Sequence, residues 1–225
     1  LDLELPAVSR IGAIGETDHT VAALSVEGSV TGSDKVGGLV GYSNDEIIDS
    51  TANADVTGAR SVGGLVGYSN DEIIDSTADA DVTGSRGVGG LVGVADGHGV
   101  ADARLTNGTA TGDVTGDNRV GGLVGLSITD ITDSTASVTV TGTSKVGGLT
   151  GHNAGLIERS VFDGAVSGER AVGGLAGSQS TYHSIQNSVA HGAVTGTERV
   201  GGIAGALTDG LIERSVATAS IDGEQ

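Results

Sequence analysis

Apolar and polar residues alternate along this chain in a pattern that recurs at a nearly fixed interval. Its best-defined stretch is Val36-Gly37-Gly38-Leu39-Val40-Gly41, in which apolar residues flank a pair of glycines. Seven copies of it begin at Val36, Val62, Val88, Val120, Val146, Val172 and Val200. Most successive starts lie 26 residues apart, with one interval of 32 and one of 28. A period in this range predicts an architecture of stacked repeats.

Within each unit the pattern predicts three short strands joined by tight bends. In the unit that starts at Val36, a first segment over 36–43 bends at Gly37-Gly38, where residues without a Cβ bend at low cost. A second segment over 46–50 is centred on Ile47. The third, over 51–58, alternates apolar and polar residues with the period of two that is typical of a half-buried strand. No segment has the ten or more residues of 3.6 periodicity that would predict a helix.

When the units are aligned, like residues fall into columns. One column contains Val30, Val56, Val82, Val114, Val140, Val166, Val194 and Ile221. A second contains Leu39, Leu65, Leu91, Leu123, Leu149, Leu175 and Ile203. If each unit forms one coil, these columns stack at about 4.8 Å into apolar ladders. The predicted fold is therefore all-β, a parallel β-solenoid (β-helix) of about eight coils with three short strands per coil.

The chain divides into a short N-terminal segment and one solenoid. Residues 1–9 alternate Leu with acidic residues before Pro6, which predicts a terminal strand or cap outside the repeat. The solenoid is predicted over 10–225, with units starting near 10, 36, 62, 88, 120, 146, 172 and 200. Residues 10–15 are read as a degenerate first copy, because the terminal units of a stack are usually atypical.

The units have the form V-G-G-L-V-G-x5-I-x2-S-x-A-x-A/G-x-V-T-G and resemble GLUG repeats over residues 10 to 222. The resemblance implies a large secreted or surface-displayed bacterial or archaeal protein. Known members include adhesin-like proteins and non-catalytic regions of some peptidases. The family supplies no catalytic residues to carry over. This chain departs from the pattern in the long units that begin at Val88 and Val172 and in its divergent first unit.

Charge narrows the choice of partners and surroundings. The chain has 29 acidic and 11 basic residues, a formal net charge of −18, and no cysteine. Self-repulsion on this scale opposes a compact state unless salt screens it, as it does at ~1 M, where the Debye length is about 3 Å. This surface resembles that of halophilic archaeal proteins; an ordinary acidic extracellular domain is the alternative. Nucleic acid and anionic membranes are poor partners, and no apolar run predicts a membrane span in this segment.

The basic residues form a candidate interaction stripe, because seven of them lie in the turn before a paired-glycine core. These residues are Lys35, Arg60, Arg86, Arg119, Lys145, Arg170 and Arg199. The favoured interpretation is intramolecular, with Asp34, Asp117, Glu169 and Glu198 neutralising them in neighbouring turns. The alternative is a stripe that docks an acidic partner, either a neighbouring copy of the chain or a glycan.

The remaining candidates lie in the long units. Loops on a rigid scaffold often carry binding residues, and this makes Asp96, His98, Tyr182 and His183 a candidate binding insertion. Asn107-Gly108-Thr109 is a candidate glycosylation site at Asn107. No cofactor is expected, although the Asp-rich turns could bind Ca²⁺ weakly.

The sequence favours a non-enzymatic role. We expect a structural or adhesive segment of a secreted or cell-surface protein: a stalk, a spacer or a fibre subunit. The exposed strand edges of the end coils invite head-to-tail assembly. Paired carboxylates such as Asp45-Glu46 leave a β-helix polysaccharide lyase or hydrolase as one alternative, against which the chain offers few aromatic residues for a sugar cleft. The other alternative is the non-catalytic repeat region of a larger peptidase.

Overall fold

The computed structural model describes residues 1–4, 8–97, 103–180 and 183–223. Within these ranges each unit forms one coil, and equivalent residues of successive units pair in parallel register. Val62, for example, pairs with Val36 on one side and with Val88 on the other. The predicted parallel β-solenoid of about eight coils is confirmed.

Four parallel sheets run along the solenoid. Sheet A contains Asp2–Glu4, Ser25–Thr31, Thr51–Thr57, Thr77–Asp79, Val82–Thr83, Thr109–Thr115, Thr135–Thr141, Val161–Ser167, Val189–Gly196 and Val216–Gly223. Sheet B contains Ser9–Ile11, Asp34–Gly37, Arg60–Gly63, Arg86–Gly89, Asn118–Gly121, Ser144–Gly147, Arg170–Gly173 and Glu198–Gly201. Sheet C contains Ile14–Thr17, Val40–Ser43, Val66–Ser69, Val92–Ala95, Val124–Ser127, Thr150–Asn153, Ala176–Gln179 and Ala204–Leu207. Sheet D contains Val21–Ala22, Ile47–Ile48, Ile73–Ile74, Arg104–Thr106, Asp130–Thr132, Ile157–Glu158, Ser184–Gln186 and Leu211–Glu213.

The three extended segments predicted for each unit are present, and the first of them serves two sheets. In the second coil the chain turns at Gly38 and Leu39, so that this segment contributes Asp34–Gly37 to sheet B and Val40–Ser43 to sheet C. The second and third segments form the strands of sheets D and A.

The paired glycines are required because the backbones of adjacent coils approach closely at this turn. A Cβ placed on Gly64 would lie 2.2 Å from the carbonyl oxygen of Gly90 in the next coil and 2.9 Å from the Cβ of Ala78. The N–H of Leu65 donates to the carbonyl of Leu91 at 2.9 Å, which continues the ladder through the turn. A larger residue at Gly64 would force the two coils apart.

The core is a thin aliphatic spine, as the columns predict. Val56, Leu65 and Ile73 each have no more than 1% of their surface exposed, and each stacks on its equivalent in the next coil. Phe162 is the large exception in a column otherwise filled mainly by alanine. It fits because two glycines lie beside it: a Cβ on Gly148 would lie 2.3 Å from the Phe162 ring, and a Cβ on Gly164 would lie 3.3 Å from it.

A ladder of buried serines stabilises the bend between sheets D and A. The Oγ of Ser134 donates to the Thr132 carbonyl at 2.8 Å and accepts from the Gly108 N–H at 3.0 Å. The preceding residue, Asp133, has a φ of 52°. The same arrangement recurs at Ser50, Ser76, Ser160 and Ser188.

The two ends of the solenoid differ. Asp2–Glu4 pairs in parallel with Ser29–Thr31 and covers sheet A of the first coil. Pro6, which was expected to end this strand, lies outside the described residues. In the last coil, Leu211 and Ile221 are about half exposed (54% and 53%). None of the described residues belongs to a helix long and apolar enough to cross a lipid bilayer.

Candidate functional site

The seven cations of the candidate stripe lie where sheet B begins, in two adjacent columns that together we call the cation edge. The outer column carries Arg60, Arg86 and Arg170. Arg60 and Arg86 pair with each other in adjacent strands, and the other neighbours of the three arginines in this column are polar or acidic residues. The next residue along the chain forms the bend column. Its cations, at φ between 54° and 60°, are Arg10, Lys35, Arg119, Lys145 and Arg199.

Side chains of the bend column lie across the outward face of sheet C. The Nζ of Lys35 is 4.1 Å from the ring centroid of Tyr42 and 4.5 Å from that of Tyr68, and the two centroids are 5.4 Å apart. The Cζ of Arg10 lies 4.8 Å from the ring centroid of Tyr42, and Arg10 pairs with Glu16. These contacts have the geometry of cation–π interactions.

Intramolecular ion pairs account for only part of the cation edge. Arg60 lies 3.9 Å from Asp34, and Arg170 pairs with Glu198 at 3.0 Å. Within the described ranges, Asp117 and Glu169, which were expected to contribute, form no ion pair. The interpretation of the stripe as self-neutralising therefore holds for Arg60 and Arg170 but not for its other five cations, which form no ion pair among the described residues.

A cavity of about 260 Å³ opens in the middle of the cation edge, lined by residues of coils two to five. It lies where the bend column carries Ser61 and Gly87 in place of a long cation. The residues that line it are Asp34, Arg60, Ser61, Arg86, Gly87, Val94, Arg119 and Leu126. The cavity combines a cationic rim with an apolar floor.

The floor of this cavity escaped the sequence analysis. Val94 and Leu126 stand in register with Tyr68, in the outward column of sheet C. In the sequence these two residues are indistinguishable from other strand residues. Their role becomes visible only when the structure shows that side chains of the bend column cover the outward face of sheet C. The available signal was the interruption of the cation column by Ser61 and Gly87 in the aligned units.

His152 occupies the same outward column in the sixth coil. Its Nδ1 lies 2.6 Å from the Oγ of Ser178, and its Nε2 lies 3.2 Å from the Oγ of Ser180. Burial, reinforced by the charges of Lys145 and Arg119, lowers the pKa of His152 to about 4. The ring is thus neutral at pH 7 and acts as a hydrogen-bonding strut between coils.

The structure separates the residues of the candidate binding insertion. Asp96 follows sheet C in the fourth coil, where it accepts a hydrogen bond from the Tyr68 hydroxyl. Burial, followed by this contact with Asp96, raises the pKa of Tyr68. His183 is exposed at the corresponding corner of the seventh coil, three coils or about 14 Å away at the strand spacing. His98 and Tyr182 lie outside the described residues.

Asn107 lies on the bend between sheets D and A. It is exposed, has a φ of 51°, and its Nδ2 donates to the Oδ1 of Asp75 at 2.8 Å. Glycosylation at this side chain stays a prediction.

The acidic turns form ladders rather than clusters. The Nδ2 of Asn44 donates to Asp18, and the Nδ2 of Asn70 donates to Asn44, each at 2.7 Å. In the described part of the chain, no group of three or more His, Asp or Glu side chains is arranged to hold a metal ion. Weak Ca²⁺ binding stays a prediction.

Comparison with known families identifies the repeat unit. The sequence profile described as the GLUG motif matches residues 32–57, 58–83 and 116–141. Each match contains the sheet B, C, D and A strands of one coil. No curated protein and no solved structure matches the chain.

Proposed function

This chain belongs to the GLUG-repeat proteins, and we propose that it is a non-enzymatic structural and adhesive segment of a secreted or cell-surface protein. The observation that carries the proposal is the uninterrupted parallel register across eight coils. At about 4.8 Å per coil this register gives a rod roughly 40 Å long. Such a rod can hold an attached group away from a surface or present one long lateral face.

The surface chemistry suits such a rod. A net charge of −18 makes the sides of two rods repel each other, most strongly at low salt. The last coil, in contrast, exposes apolar side chains together with unpaired strand edges. These side chains, each between 44% and 54% exposed, are Leu207, Leu211, Val216 and Ile221. The proposal therefore includes head-to-tail assembly of copies, in which this coil is one of the two contacting ends.

Limited proteolysis of intact source cells tests the location. Trypsin added outside the cells should release peptides cut at the exposed Arg60, Arg86 and Arg170. A cytoplasmic protein serves as the control and should stay intact. The proposed location is wrong if peptides of this chain appear only after the cells are lysed.

Negative-stain imaging in high salt tests the assembly. We expect rods longer than 40 Å in the wild type and single short rods in the Ile221→Arg variant, because the charge would be placed on the apolar end. Thr139→Arg, an exposed position in the middle of sheet A, is the matched control and should assemble like the wild type. Monodisperse single rods of the wild type would contradict end-to-end assembly.

A further inference from the structure

Two small residues interrupt the bend column in the middle of the solenoid. The second and fifth coils hold Lys35 and Arg119 at this position, whereas the third and fourth hold Ser61 and Gly87. Lys35 shows what a long side chain does here, since it covers the outward face of sheet C. The gap at Ser61 and Gly87 leaves that face open and creates the cavity of about 260 Å³.

The rim of the cavity carries more positive charge than the chain neutralises. Arg60 has a carboxylate 3.9 Å away, that of Asp34. Among the described residues, neither Arg86 nor Arg119 forms an ion pair. Lys35, Lys145 and Arg199 of the bend column likewise form no ion pair among the described residues, so the unneutralised charge continues along the cation edge on either side of the cavity.

Arg119 in addition has a hydrogen-bond donor without an acceptor. Its Nε is buried, and no hydrogen-bond partner for it lies among the described residues. Burial, followed by repulsion from Arg86, lowers the pKa of Arg119. A buried donor left unpaired is costly, and an anion placed between the guanidinium groups of Arg86 and Arg119 would relieve their mutual repulsion.

The floor specifies more than a simple anion. Val94 and Leu126 line the cavity between the arginines. Leu126 is half-buried, whereas Val94 is only 9% exposed, so Leu126 supplies the larger part of the exposed apolar surface. A sulfate or phosphate ion has no apolar face to place there. The volume lies just below the ~300 Å³ at which small-molecule sites typically begin, so it suits a single ring-sized group. An aspartate or glutamate side chain of a peptide could reach the arginines but would leave much of the floor uncovered.

We propose that this cavity binds a uronate residue of an acidic polysaccharide. The carboxylate accepts hydrogen bonds from Arg86 and Arg119, in the bidentate geometry that guanidinium favours. The C–H face of the sugar ring packs on Val94 and Leu126, and Ser61 offers a hydroxyl to the ring hydroxyls. This assignment rests on the proposed surface role and names the ligand that the adhesive segment would hold.

The test is a titration of the full chain with tetragalacturonate, followed by amide chemical shifts at moderate salt. We expect shifts concentrated at Gly87, Val94 and Leu126. The fully methyl-esterified tetrasaccharide, which has the same rings without the charge, should bind at least about tenfold more weakly, because the charge-assisted hydrogen bonds are lost. Sulfate and an Asp-rich hexapeptide are added as competitors, and neither should displace the sugar at equal concentration.

Three variants separate the cavity from general charge attraction. Arg86→Gln and Arg119→Gln should each weaken binding about tenfold or more. Arg170→Gln removes a cation of the same outer column outside the cavity and should change it little. Gly87→Lys adds a positive charge but places over the floor the side chain that Lys35 and Lys145 carry at the same bend, so it should abolish binding. Circular dichroism confirms that each variant is folded.

Several outcomes would overturn the proposal. Undiminished binding in Arg86→Gln and Arg119→Gln would show that these arginines do not hold the sugar. Tighter binding in Gly87→Lys would show general attraction by charge rather than a fit to the cavity. Equal binding of the methyl ester would exclude the carboxylate, and displacement by sulfate or by the acidic hexapeptide would assign the site to a simple anion or to a protein partner. None of these results bears on the release of peptides from intact cells, so the surface role fails or stands separately.

Discussion

At the scale of single residues, the buried serines show how a polar side chain can be an essential part of an apolar spine. The Oγ of Ser134 is both donor and acceptor, and it satisfies the Gly108 N–H at a bend where the regular ladder is interrupted. Ser134 is 1% exposed, so water cannot replace it there. The serine column was visible in the sequence, but its role was not, because the pattern cannot tell a buried hydroxyl from an exposed one.

Replacing Ser134 by alanine should cost about 1–3 kcal/mol of unfolding free energy, because a buried N–H loses its acceptor. Urea unfolding of the two proteins measures the difference. Ser137→Ala in the same coil is exposed and should stay within about 0.5 kcal/mol of the wild type. Equal costs for the two variants would mean that the buried ladder does not stabilise the bend.

His152 gives the chain a predictable response to acid. Its pKa is about 4 in the folded chain and near 6.5 when unfolded. Between these values the unfolded state takes up the proton more readily, so its contribution to stability is full above pH 6.5 and is lost as the pH falls towards 4.

His152→Leu, which installs the residue that the preceding coil carries at this position, should remove that dependence. From pH 7 to pH 4.5 the wild type should lose about 1–2 kcal/mol more than the variant, less than the full shift implies because solvent screens a half-buried ring. Urea unfolding at several pH values measures this, and parallel pH curves would contradict it.

At the scale of elements, the sequence predicted the extended segments of each coil better than it predicted how they are divided among the four sheets. Alternation identified the strand Thr51–Thr57, and the paired glycines identified the bend. The pattern did not reveal that the bend is a corner between sheets B and C. The corner forms because the backbones of adjacent coils lie close together at the glycines. This contact between coils cannot be deduced from the sequence pattern of a single unit.

Gly64→Ala tests this corner. The new Cβ would be 2.2 Å from the backbone oxygen of Gly90, an atom that cannot move without displacing the next coil. We expect a loss of about 3 kcal/mol or more in urea unfolding. Gly223→Ala is the matched control, since its Cβ would meet nothing closer than 3.8 Å, at Val200. A small effect of Gly64→Ala would show that the glycines are not required for close approach.

The long units illustrate what the sequence could place and what it could not. Both insertions fall at the corner between sheets C and D, after Ala95 and after Gln179, and the register resumes at Leu105 and Ile185. The cavity lies at a different corner, between sheets B and C. Its signal in the sequence was the replacement of long cations by the small residues Ser61 and Gly87, and not an insertion.

At the scale of the whole molecule, the balance between stacking and charge decides stability. Every coil except the end ones is paired on both sides, whereas the net charge of −18 opposes the compact form. The thermal midpoint should therefore rise by several degrees between 0.1 M and ~2 M KCl, as the Debye length falls from about 10 Å to below 3 Å.

Circular dichroism melting measures this, with a less acidic chain as its control. Glu27→Gln, Asp163→Asn and Asp222→Asn, all exposed, are combined in one variant. It should show a smaller rise, because less repulsion remains to be screened. If the midpoint of the wild type does not depend on salt, the expected halophilic character is wrong.

The central claim is that each unit adds one coil and lengthens the solenoid by one strand spacing. Distances between pairs of spin labels, measured by double electron–electron resonance, test it directly. The chain has no native cysteine, so labels can be placed at will. With one label at Thr57 and the other at Ser167, Thr195 or Asp222, all exposed, the pairs span four, five and six coils. The account predicts mean distances near 19, 24 and 29 Å, rising by about 4.8 Å per coil. Distances that do not increase by one strand spacing per unit would contradict it.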